Sequence, residues 1–534
     1  MVIRLTRLLV VSMLLAGSLV SALPADAATG WVQATTQNPG SSSNVFYGVN
    51  CVSSTFCVAV GAQVGASGFD QTLIEDTTDG SGSNWTVMPS PNPAGASAYN
   101  DLYSVSCLTP SFCVAAGSDT SSSGVQLPLA EIYNGSLWVD SSTQTPPGSQ
   151  NAIFNSITCI SPSSCVAVGT YADSSGNYNT LIESYSGSGW QIDPSPNPAV
   201  GGQNTLWGIS CAGTSYCMTA GGGMGSSAYQ NIALESFDGG QSWNSTSSAP
   251  IEVGPNGGIT TNNDFDGVTC LGESNCLVSG FYENSSNISQ AIVEIYSGSW
   301  ALGSVQNPSS SDGQVFPWSI GCESSNLCFL VGGYQSGSAE ENLIEESTNQ
   351  GSTWSAQTNV NSSTYNFLYG ISCAVSGYCI AVGSGSTTAF AESYATPTTC
   401  NTSSNNLSNQ NLSGCNLAGG DLQGKNLKGS NLANANLSGA NIQGSNLLGV
   451  DLSGSDLSGA ILKGSNLANA NLSGANLSAA QLQGANLKGV NFSNAILTGA
   501  LLTGANLIGI TWSNTTCPDG TNSNNDGGTC INNL

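Results

Sequence analysis

The stretch Asp101–Gly117, DLYSVSCLTPSFCVAAG, decides the fold. A short alternating run ends at Cys107, a five-residue turn follows, and Cys113 opens a second short apolar run. The same phrase recurs at Cys51/Cys57, Cys159/Cys165, Cys211/Cys217, Cys270/Cys276, Cys322/Cys328 and Cys373/Cys379. The seven Cys-x5-Cys pairs lie 51 to 59 residues apart, which marks a repeat architecture.

Each repeat reads as four short strands. In the second these are Leu102–Cys107, Cys113–Gly117, Leu127–Tyr133, ending at Asn134-Gly135, and a strand opened by Trp138. A helical solenoid has a similar period, but these runs are short, rich in β-branched residues and split by Gly/Ser/Asn turns. Tandem four-stranded units predict a β-propeller. Trp85, Trp138, Trp190, Trp243, Trp300 and Trp354 each follow the first Cys of a pair by 30 to 34 residues. The seventh pair has no such Trp; its third strand, Phe390–Tyr394, runs into Pro397. Trp31 is left over at the other end, so its strand is expected to complete the last blade and close a seven-bladed ring, which leaves no bare edge.

Ser236–Trp243 (SFDGGQSW) and Ser347–Trp354 (STNQGSTW) resemble the Asp-box of sialidase-like propellers, with shortened versions at Ile132–Trp138 and Tyr185–Trp190. The resemblance implies a β-turn anchored by Trp, and no chemistry by itself. Sialidases hold a carboxylated sugar with arginines, whereas residues 8–424 here contain no Lys, Arg or His. That sugar chemistry therefore has nothing to work with, and nucleic acid or an anionic membrane is a poor partner.

Residues 1–27 read as a secretory signal: Arg4 and Arg7, an apolar run Leu8–Val20, and Ala25-Asp26-Ala27 as the cleavage site. Export permits disulfides, and all eighteen cysteines lie beyond this segment. Each Cys-x5-Cys pair is expected to staple one hairpin, worth about 2 kcal/mol by chain entropy. Zinc sites favour closer spacing and histidine, so metal is the weaker reading of these pairs. Seven glutamates also recur in strand three: Glu75, Glu131, Glu183, Glu235, Glu294, Glu345 and Glu392. One per blade at one position predicts a structural carboxylate that accepts hydrogen bonds, ahead of a cation site or catalysis.

Four residues before the first Cys of each pair stand Tyr47, Tyr103, Asn155, Trp207, Asp266, Trp318 and Tyr369. Strand one of a propeller blade is innermost, so these residues are expected at one mouth of the channel, either packed between blades or facing a ligand. Flat aromatic faces with a few polar groups suit sugars or apolar peptide side chains.

After the linker 394–406 the period falls to five. A hydrophobic residue recurs at all 22 fifth positions from Leu407 to Trp512, in pentads such as Ala435-Asn-Leu-Ser-Gly. The pattern resembles the pentapeptide-repeat family. The resemblance implies a right-handed four-sided β-helix, with the central Leu and the small residue two before it inside. No pentad can bury its Leu alone; stacking supplies the core. Cys400/Cys415 and Cys517/Cys530 are expected to cap the two ends as disulfides. The loop bearing Asp519, Asn522, Asn525 and Asp526 resembles a degenerate calcium loop but lacks the closing Glu, so a plain turn is expected in place of a calcium site. Some relatives mimic DNA through an acidic face. Residues 407–514 instead carry three acids against four lysines, which disfavours that role.

The expectation is an all-β, secreted bacterial protein: signal 1–27, disulfide-stapled seven-bladed propeller 28–395, and pentapeptide β-helix 396–534. Its expected function is non-catalytic extracellular binding or adhesion to a protein or glycan, with no cofactor and no membrane span. The alternatives are a structural envelope or matrix component, and a polysaccharide-acting enzyme using carboxylates such as Asp264, Asp266, Glu340 and Glu341.

Overall fold

Each Cys-x5-Cys phrase forms a hairpin, and seven hairpins grow into seven four-stranded antiparallel sheets. The computed structural model describes residues 30–531 except 41, 54, 79–81, 83, 94, 96–97, 122, 200–201, 225–228, 247–262, 285, 287, 309–313, 324–326, 358–364, 375–377, 396–401, 403, 411, 413–414, 416, 434 and 526. The expected signal segment and Cys400 lie outside the described residues. The chain divides into two compact units, Met1–Tyr394 and Ala395–Leu534.

In the first unit the strands pair in chain order within six of the blades. The seventh blade is built from Phe367–Ala374, Tyr378–Ser384 and Ala389–Ala395, with Gly30–Gln33 as its fourth strand. The N-terminal strand therefore closes the ring as the leftover Trp31 predicts. Trp31 packs edge-on to Phe329 of blade six at 5.2 Å and against Tyr394 of blade seven at 5.4 Å. The strands run longer than their hydrophobic pattern indicates: in blade two, Asn100–Thr109 and Phe112–Thr120. The Asp-box turns do what the motif implies. Asp238 Oδ1 accepts from the backbone N–H of Gln241 and Ser242, and Trp243 Nε1 donates to the Gly240 carbonyl at 2.9 Å.

The staples are Cys51–Cys57, Cys107–Cys113, Cys159–Cys165, Cys211–Cys217, Cys270–Cys276, Cys322–Cys328 and Cys373–Cys379. Each joins directly opposed residues of strands one and two, with Cα atoms 3.9–4.0 Å apart. The two halves of a staple differ in their surroundings. The first cysteine keeps some exposure, whereas Cys57, Cys113, Cys165, Cys217, Cys276, Cys328 and Cys379 are fully buried. Cys113, for example, packs with Val58, Val60 and Ile74 of the preceding blade, and Cys217 with Val166, Val168 and Ile182. The pairs are thus the hairpin staples that their spacing predicts, and their second cysteines are also part of the core. Strand two carries them into the apolar layer between blades, where a bonded sulfur is core and touches no ligand surface.

The inner strands share one irregularity. Pairing of strand one with strand two skips a residue at the same position of every blade: Tyr47, Tyr103, Asn155, Trp207, Asp266, Trp318 and Tyr369. Each is the extra residue of a β-bulge, a device that bends a strand and re-aims a side chain. The bulge drives a strand-one carbonyl toward strand two, where the fourth residue after the second Cys is always glycine. A Cβ on Gly169 would sit 2.0 Å from the Ile153 carbonyl oxygen, and Gly61, Gly117, Gly221, Gly280, Gly332 and Gly383 are equally crowded.

Adjacent inner strands meet through short side chains. The Cys107 N–H donates to Asn50 Oδ1 at 2.9 Å, Cys159 N–H to Ser106 Oγ at 3.0 Å, and Cys270 N–H to Ser210 Oγ at 3.0 Å. Cys51 N–H reaches back to Ser372 Oγ of blade seven at 2.9 Å. Inner-strand N–H groups that have no sheet partner are satisfied in this way.

In the second unit parallel bridges recur every 20 residues, as between Asn446 and Asn466, so four pentads make one coil. The central Leu of each pentad and the small residue two before it are buried, from Leu432 and Ser430 to Leu497 and Ala495. Asn side chains stack from coil to coil: Asn446 Nδ2 donates to Asn426 Oδ1 at 3.0 Å and Asn486 Nδ2 to Asn466 Oδ1 at 2.9 Å. Cys517 continues the inward series and is bonded to Cys530 across a sequence separation of 13 residues. Cys415 is also disulfide-bonded.

Two substitutions test these constraints. Gly169→Ala should destabilise the propeller by about 2–3 kcal/mol through forced overpacking at the bulge. Gly189→Ala, in open space of the same blade, should be close to neutral. At the corner of one pentad Ala479 adopts φ +57°, where most corners carry glycine. Ala479→Gly should therefore raise the stability of the β-helix by about 1 kcal/mol, read by thermal or denaturant unfolding.

Candidate functional site

The seven bulges share one consequence: all seven of their residues line a single cavity of about 750 Å³ in the channel of the propeller. Six of them are half-buried and Asp266 is 5% exposed. The rings form an arc over four consecutive blades. Trp318 meets Tyr369 at 4.9 Å, Tyr369 meets Tyr47 at 5.6 Å, and Tyr47 meets Tyr103 at 5.4 Å. Phe316 stacks on Trp318 at 6.0 Å and Phe367 packs edge-on to it at 5.1 Å.

The other three blades make a polar arc of Asn155, Trp207 and Asp266. Asn155 Nδ2 donates to the Leu206 carbonyl at 2.8 Å, which ties blade three to blade four. Trp207 Nε1 donates to Asp264 Oδ2 at 3.0 Å, which ties blade four to blade five. Asp264, Asp101 and Asp70 line the same cavity. Burial, with the Asp70 carboxylate beside it, pushes Asp101 up to about 7. These three carboxylates were not part of the ring read from the Cys spacing. Asp101 and Asp264 stand two residues before a bulged position, and that shared offset was the available signal. Asp70 comes from strand three and has no such marker.

The strand-three glutamates lie away from this cavity and are buried. Several of them hold the segment that enters their blade from the previous one. Glu75 accepts from the Gln37 N–H through both oxygens, at 3.2 and 3.1 Å. Glu131 accepts from Ser90 Oγ at 2.7 Å, and Glu183 from the Gln144 N–H at 3.0 Å. Glu235 takes the hydroxyl of Tyr296 at 3.2 Å, and Glu392 takes Asn342 Nδ2 at 3.1 Å. The fold-level role predicted for them accounts for these bonds.

In the C-terminal loop Asp519 Oδ1 accepts from the N–H and hydroxyl of Thr521, at 3.0 and 2.7 Å. Asn522 Oδ1 accepts from Asn524 N–H, and its Nδ2 donates to Asn514. Asn525 lies in the 3-10 turn Ser523–Asn525, and Asp526 is outside the described residues. The Oδ1 atoms of Asp519 and Asn522 thus serve turn bonds. Among the described residues no three His, Cys, Asp or Glu gather as a metal site, and no helix is long and apolar enough to cross a membrane.

The family described as pentapeptide repeats matches residues 411–449, 445–484 and 475–511. The C-terminal unit is thus a pentapeptide-repeat domain. It resembles the pentapeptide-repeat protein Rfr23 from the cyanobacterium Cyanothece 51142, with 43% identity, 16% of this chain covered and a TM-score of 0.16. The chain spans 58% of the length of that protein. Structural neighbours of the propeller include YCF48, solved with a D1 peptide, and the Hadza microbial sialidase Hz136. The first has 14% identity, covers 70% of this chain and all of its own, and has a TM-score of 0.42. The second has 9% identity, covers 67% of this chain and 66% of its own, and has a TM-score of 0.41. Neither likeness carries an activity across. No curated protein matches the chain.

Burial has a measurable consequence. It pushes Glu131 and Glu392 up to about 7, and Glu183 and Glu345 up to about 8, from an ordinary value of 4.5. A carboxyl with a raised folded pKa holds its proton better in the folded state, so its contribution is complete below 4.5 and is lost as pH rises through 7 to 8. The melting temperature of the propeller should therefore fall between about pH 4.5 and 8, and Glu183→Gln should flatten part of that slope. A melting temperature that climbs toward neutrality would contradict this assignment.

Proposed function

We propose that this is a secreted, non-catalytic binding protein whose ligand, a glycan, sits at the bulged mouth of the propeller channel. The observation that carries the reading is the ring itself: seven bulges deliver five aromatic rings, an amide and a carboxylate to one cavity. Flat rings beside hydrogen-bonding groups suit the apolar faces and hydroxyls of sugars. Eight disulfides among the described residues suit an oxidising compartment. The β-helix, bonded from coil to coil along its backbone, serves as a rigid stalk or interaction surface.

The test is a glycan-array screen of the secreted protein, repeated with Trp207→Ala and Trp318→Ala. Selective binding, weakened at least about tenfold in both folded variants (about 1.4 kcal/mol), is the expected result. Absence of binding by well-folded protein would favour a structural role in an envelope or matrix.

A further inference from the structure

We propose that the glycan held at the channel mouth is cationic: a chain of amino sugars whose ring faces lie on the aromatic arc and whose ammonium groups meet the carboxylates beside it. The inference rests on the binding reading above and specifies its ligand.

The first ground is charge. Of the chain's 32 acids, 26 lie in residues 28–395, which contain no Lys, Arg or His. Four of them, Asp70, Asp101, Asp264 and Asp266, line the cavity. No cationic side chain of the propeller can offset them, and in a partly buried site the Coulomb energy between charges is several times its value in bulk water. An anionic ligand is repelled there. A ligand that brings its own positive charge is attracted, and it relieves the Asp70 repulsion that adds to burial in raising Asp101.

The second ground is placement. Asp264 is not a loosely held surface acid. Its Oδ1 lies 2.2 Å from where a Cβ on Gly222 would be, so glycine at that strand-two position makes room for the carboxylate. Trp207 Nε1 fixes the other oxygen at 3.0 Å. A carboxylate is thereby held against the edge of an indole in the wall of the cavity.

The third ground is shape. The arc Trp318–Tyr369–Tyr47–Tyr103 is a continuous stripe of four rings with neighbours 4.9–5.6 Å apart. One lysine side chain would need one ring or a small cage. A stripe suits a polymer that presents a flat face in every unit, and cation–π attraction strengthens the contact where an ammonium lies over a ring.

The experiment is calorimetric titration of the full secreted protein with a glucosamine oligomer, the fully N-acetylated oligomer of the same length, and oligolysine. The two sugars differ in charge while sharing their ring scaffold. The expected result is binding of the glucosamine oligomer at least about tenfold tighter than its acetylated counterpart, weakened by added salt and about tenfold by Asp264→Asn. Asp101→Asn, on the opposite arc, is the second variant should Asp264→Asn fail to fold. Equal affinity for both oligomers would overturn the charge inference and leave a glycan site standing. Failure of all three probes, with a neutral glycan bound on the array, would do the same. Binding of oligolysine alone, or of no sugar of any kind, would overturn this proposal together with the glycan reading.

Discussion

One extra residue in the innermost strand of each blade is the constraint on which the rest of the propeller depends. The bulge turns Tyr47 and its six equivalents into the channel, and it presses a carbonyl such as that of Ile153 into space that only glycine leaves open. The disulfides sit on the same two strands, four residues after the bulged position. Their second sulfurs, from Cys57 to Cys379, are part of the apolar layer between blades. They fix the register of the hairpin just where the bulge could let it slip, because a one-residue slip would exchange channel-facing and core-facing side chains. Local pairing, covalent staple and cavity are in this sense one device repeated seven times.

The ring is then held together by groups that act between blades. Short polar side chains before the first Cys accept N–H groups from the next inner strand, and buried glutamates in strand three anchor the incoming linkers. The N-terminal strand completes the final blade. A chain with no cation in its propeller cannot neutralise buried carboxylates with ion pairs. It gives several of them N–H or O–H donors instead, and burial keeps several protonated into the neutral range. Buried ion pairs carry a large desolvation cost, so their absence is compatible with a stable fold.

Much of this was legible in the chain. The Cys spacing yielded the blade count, the leftover Trp31 the closure, and the pentads the β-helix and its inward residues. Counting back four from each first Cys found seven of the side chains that line the cavity. The bulge was not legible, because an added residue leaves strand composition unchanged. Its trace was the recurring glycine four residues after each second Cys, which reads as an ordinary small residue until its opposing carbonyl is seen. The unequal burial of the two cysteines in a pair was hidden too, because spacing alone treats them alike. The glutamate partners Gln37, Ser90 and Gln144 lie 38, 41 and 39 residues away in sequence, in the linkers between blades and not on the strands. Gly222 and Asp264 are likewise matched across a blade boundary.

The functional reading turns on whether the bulged side chains face solvent. Trp207 and Trp318 line the cavity, while Trp31, Trp85, Trp138, Trp190, Trp243 and Trp354 are at most 5% exposed. Acrylamide quenching of tryptophan fluorescence separates the two sets. A channel mouth open to ligand predicts that the quenchable emission beyond that of half-buried Trp300 disappears in the Trp207→Phe/Trp318→Phe double variant. Quenching unchanged by that substitution would place both indoles in blade packing and contradict the ring as a binding surface.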